Sequence, residues 1–163
     1  MNQDLLQTIS EVGVALAGFS GVVFVLSPRA RGGLTVAEKN GLAHLLFTSC
    51  GVTILALVQA ALLAGMSDLA LVWRIGNALT AVFVLIGAAK AVTEELRGEH
   101  SLPYPIGWIV PVGAFALAAT NGLAAVGFMR PYSPHLCVAI LIYILFVSLV
   151  YFASLVFPAA DAV

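Results

Sequence analysis

Five apolar runs, each long enough to cross a lipid bilayer, occupy nearly all of this 163-residue chain. They cover about 5–26, 41–64, 69–92, 106–128 and 135–157. The connectors between them are short, with no room for a water-soluble domain. Only 9% of the residues are charged and 61% are hydrophobic, whereas a soluble domain carries about a quarter charged residues. The expected fold is therefore all-α: a polytopic membrane protein whose residues 1–163 form one bundle of about five transmembrane helices. The N-terminal Met1-Asn2-Gln3-Asp4 lacks a positive region, and the first run is long and holds Glu11. It reads as a retained span, not a cleaved signal peptide.

Let side A be the side on which the chain starts. Side B then receives loop 27–40, loop 93–104 and the C-terminal tail. Arg29, Arg31, Lys39 and Arg97 fall on side B, with Lys90 at its edge, while side A has Arg130 and the embedded Arg74. The excess of basic residues assigns side B to the cytoplasm, with the N-terminus outside and the C-terminus inside. Loop chemistry agrees with these ends. Ser27-Pro28 stops the first span, Thr35-Val36-Ala37-Glu38 is a capping-box pattern, and Pro134 sits at the start of the fifth span. Pro111 lies inside the fourth.

Ionisable and amide groups inside a membrane are costly, so each is a candidate for function. Glu11, Gln59, Arg74, Asn77 and Asn121 lie about two turns from the side-A ends of four spans. The expectation is one shared binding or ion-pair layer, with Glu11 bonded to Arg74 and the amides meeting the remaining donors and acceptors. On the second span His44, Thr48, Gly51, Leu55 and Gln59 form one stripe, and on the first Glu11 shares a face with Ala15 and Gly18. Both stripes are expected to point into the bundle.

Near side B a second group contains His44, Thr48, Lys90 and Tyr151. Lys90 is expected to pair with Glu94 one turn on, His44 to be hydrogen-bonded, and the run from Glu94 to His100 to be a solvated helix end. No catalytic set, metal site or cofactor is expected. His44 has no second histidine within a span for haem, and the apolar setting of Cys50 and Cys137 suits packing rather than zinc or a disulfide. No nucleotide-binding or hydrolase motif is present, so the chain does not read as an enzyme. A net charge of −1 argues against nucleic acid.

Gly13, Ala17 and Gly21, and Ala114, Ala118 and Gly122, recur at intervals of four and suit close helix contact. The fifth span, rich in Leu, Ile, Val and Phe, reads as lipid-facing on most sides. The bilayer is the expected environment, in a bacterial cytoplasmic membrane by composition, with a second copy or a larger membrane complex as partner. Two functions follow. One is an oligomeric channel or transport-type conduit for an ion or small solute. The alternative is a non-catalytic accessory or scaffold subunit, in which the polar layer is a structural clasp.

Overall fold

The computed structural model describes residues 3–26, 35–99 and 102–157. They form five long helices and no strand: α1 (Gln3–Leu26), α2 (Val36–Gly65), α3 (Leu69–Leu96), α4 (Ile106–Ala125) and α5 (Ser133–Val156). All five are long and apolar enough to cross a membrane. Local chemistry sets the ends. Thr35 and Glu38 complete the capping box at α2, since Thr35 Oγ1 accepts from the Glu38 amide and Glu38 accepts from the Thr35 amide. Asp68 caps α3 by accepting from the Ala70 and Leu71 amides. A short 3₁₀ turn, Arg130–Tyr132, leads into α5, whose first turn carries Pro134. The Ser27-Pro28 stop, Arg29, Arg31 and His100 lie outside the described residues.

Two ends differ from expectation in a way that matters. α2 starts at Val36, and α3 continues to Leu96. The capping box begins α2 five residues before its apolar run. Thr93, Glu94 and Glu95 remain helical because they are adequate helix formers with no breaker before Gly98.

α5 touches every other helix, and α2 touches α1, α3 and α5. The bundle is thus a strip of three packed triangles: α1–α2–α5, α2–α3–α5 and α3–α4–α5. This corrects the lipid-facing reading of α5. Its apolar character serves burial among four neighbours, with Ile140, Leu141 and Ile144 in the main core beside Val52, Ala56 and Val84. Leu and Ile suit lipid and protein interior equally, so composition alone did not separate the two.

The outlying helix is α1. Its Gly13 face packs on α2, where a side chain at that glycine would meet Thr53, Ser49 and Val52. The face bearing Glu11, Ala15 and Gly18 is exposed, the reverse of the expected orientation. Gly21 is likewise exposed, with no described residue within 4 Å of an added Cβ. Cys137 is buried and Cys50 faces outward, so only the former is a packing residue.

Candidate functional site

Side-chain contacts fix the register of the helices and place the polar groups in two layers. At the side-A end, Arg74 Nε donates to the Ala125 carbonyl at 2.8 Å, tying the start of α3 to the end of α4. One turn further in on each helix lie Asn77 and Asn121, both fully buried. Asn77 Nδ2 donates to Trp73 O at 2.7 Å and to Ser133 O and Oγ at 3.0 and 2.8 Å. Asn121 Nδ2 donates to Leu117 O at 2.9 Å. From α2, the Gln59 amide lies directly over Gly76, where a Cβ would stand 2.0 Å from Oε1. A side chain at Gly76 would have to displace that amide. Gln59, Asn77 and Asn121 therefore share a level, as expected, on α2, α3 and α4, with Ser133 of α5 beside them.

Glu11 does not join them, and the expected Glu11–Arg74 pair is absent. Ser10 O accepts from Thr53 Oγ1, which sets Glu11 level with Thr53, about 9 Å deeper than Gln59 at 1.5 Å per residue. Glu11 is exposed on α1 and accepts from Gln7 Nε2 at 2.9 Å. Arg74 is on α3, which lies beyond α2 and α5 from α1. Similar distances from the predicted span ends did not make the two groups neighbours, because α2 and α5 stand between α1 and α3.

What remains at side A is a neutral carboxamide layer with unmet bonding capacity. Gln59 Oε1 and Nε2, Asn77 Oδ1 and Asn121 Oδ1 are buried and have no hydrogen-bond partner among the described residues. Each such atom costs about 1–3 kcal/mol. Above the layer, a pocket of about 350 Å³ is lined by Asp68, Trp73, Arg74 and Ser133 among others.

Toward side B lies the second layer. His44 Nε2 donates to Glu94 Oε2 at 2.7 Å, and both residues are buried, His44 at 3% and Glu94 at 7% exposure. Lys90 Nζ reaches the other oxygen, Oε1, at 3.6 Å from a half-exposed position. The Tyr151 ring stacks on His44 with centroids 5.0 Å apart. Thr48 donates to the His44 carbonyl and accepts from Ser148 at 2.8 Å. The expected secondary group of His44, Thr48, Lys90 and Tyr151 is thus assembled around a residue it omitted. Glu94 is not a solvated helix end: the longer α3 brings it inside, against the second span. Its position one turn after Lys90 and on the Ala91–Ala88–Val84 face was the available signal.

His44, Thr48 and Tyr151 also line a narrow cavity of about 40 Å³ between α2, α3, α4 and α5. Its walls are otherwise apolar, with Phe83 stacked on Phe47 at 4.5 Å and seated over Gly51. Tyr143 donates to the Val110 carbonyl beside Pro111. Between the two polar layers, Val52, Ala56, Val84, Ile140, Leu141 and Ile144 form an apolar belt. On α2 the layers are separated by the stretch from Thr48 to Gln59, about 16 Å. Among the described residues, no group of three metal-ligating side chains occurs. No protein-family model matches the chain, and searches of curated proteins and of solved structures return no match.

Proposed function

We propose that this protein is a small membrane conduit of transport type, with the apolar belt closed in the described conformation. The observation that carries this reading is the His44–Glu94 pair. Two ionisable groups from separate helices are placed inside the bundle, His44 at the wall of a cavity and Glu94 bonded behind it, where apolar residues would have packed without desolvation cost. A titratable pair at one end and an amide layer at the other give a permeant polar stations on either side of the belt. The test is flux in proteoliposomes, following proton movement with a pH-sensitive dye. Glu94→Gln keeps a hydrogen bond to His44 while removing the charge, and is expected to lower proton flux about tenfold at unchanged thermal stability. Equal flux in the two proteins would remove the pair from any transport role.

The accessory-subunit reading is favoured by one feature, the exposed Glu11 on the outward face of α1. A carboxylate turned toward acyl chains is unfavourable by about 2.5–3.5 kcal/mol on insertion scales, so contact with another membrane helix would relieve it.

The basic-residue excess supports a cytoplasmic side B, and the Ala/Gly/Val-rich composition supports a bacterial inner membrane. In a Cys50→Ala, Cys137→Ala background, Ser67→Cys is expected to react with an impermeant maleimide on intact cells. Arg97→Cys should react only after lysis. The opposite pattern would invert the orientation.

A further inference from the structure

We infer that the Gln59–Asn77–Asn121 layer binds an uncharged, hydrogen-bond-donating small guest: water, or a solute of the urea and ammonia class. As a statement of what passes, this rests on the conduit reading; as a binding site, it stands on the geometry.

The orientation of the amides decides the guest's chemistry. Asn77 Nδ2 faces two backbone carbonyls and a hydroxyl. Turning the amide over would set Oδ1 against those carbonyls, so the unmet atom is the oxygen. The same holds for Asn121, whose Nδ2 is held by Leu117 O. Gln59 has both ends unmet where it rests over Gly76. The layer thus presents three oxygens lacking a donor and one amide nitrogen lacking an acceptor. A guest that donates three times and accepts once completes it: ammonia does so, urea does so with a donor to spare, and one water meets two of the oxygens and the nitrogen.

Charge argues against an ion. An anion would meet oxygens. A cation would face the Arg74 guanidinium one turn outward, and Arg74 is pinned there by the Ala125 carbonyl. Asp68, the acidic residue among the described walls of the pocket, is committed to the α3 N-terminus. The pocket above is the nearest approach to the layer: Trp73 and Ser133, to which Asn77 donates, are two of its walls.

The test is solid-state NMR on nitrogen-labelled protein in liposomes, measuring magnetisation transfer from water to side-chain amides. Transfer to Asn77 and Asn121 is expected to be about threefold or more faster than to the belt residue Ala56. Asn121→Leu should abolish that advantage at Asn77; if that variant misfolds, Gln59→Met serves the same purpose. Carbon-labelled urea separates the two sources, since a urea contact with the carboxamides names the solute and its absence leaves water. No transfer from either would overturn the inference, as would amide shifts that follow sodium when it replaces choline. A bound guest in a protein without solute flux would sink the conduit reading and leave the site standing.

Discussion

Gly76 and Gly18 are both glycines within apolar helices, yet they answer to different constraints. A methyl group at Gly76 runs into the Gln59 amide, whereas no described residue lies within 4 Å of one at Gly18. Gly76→Ala should therefore displace an already under-bonded amide and lower stability by about 1–3 kcal/mol. Gly18→Ala should be neutral or stabilising by up to about 1 kcal/mol, because alanine is the better helix former. Thermal unfolding in detergent distinguishes the two, and equal effects would mean Gln59 does not occupy the seat described. The same scale explains why Glu94 was legible as the partner of Lys90 but not as the partner of His44. Counted along the chain it belongs to a charged helix end; only its side-chain direction toward His44 makes it a buried partner.

The central position of α5 rests on which of its apolar residues face protein. Leu141 is fully buried, and Phe146 is 57% exposed. Leu141→Ala should cost about 2–5 kcal/mol and Phe146→Ala much less, although the phenylalanine is larger. The reverse ranking in unfolding experiments would place α5 at the periphery. Element by element, the sequence was informative about length and ends, because hydrophobic runs, the Thr35–Glu38 box and Pro134 act over a few residues. The inward stripe of α2 was also legible, since four of its five members are polar or small and all lie on one helical face. The outward turn of the Glu11 stripe on α1 was not. A polar stripe in a membrane helix marks a face that avoids lipid, and it does not say whether the cover comes from the same chain.

At the scale of the whole molecule, the exposed α1 face and the two inner layers pull toward different roles, and assembly state decides how they combine. If a second copy covers Glu11, Glu11→Leu should shift the detergent-extracted species toward the monomer, read as a loss of about half its mass by light scattering. An unchanged mass would show that Glu11 holds no copies together. What the residue order alone determined is the number of long apolar helices, their approximate limits, and the turns that end them, because these depend on local hydrophobicity and capping. What the tertiary structure decided is which polar groups meet. Depth and helical face are properties of one helix, but adjacency belongs to the packing of all five. Placing α1 and α3 on opposite sides of α2 and α5 separated Glu11 from Arg74, and the same packing closed His44 onto Glu94.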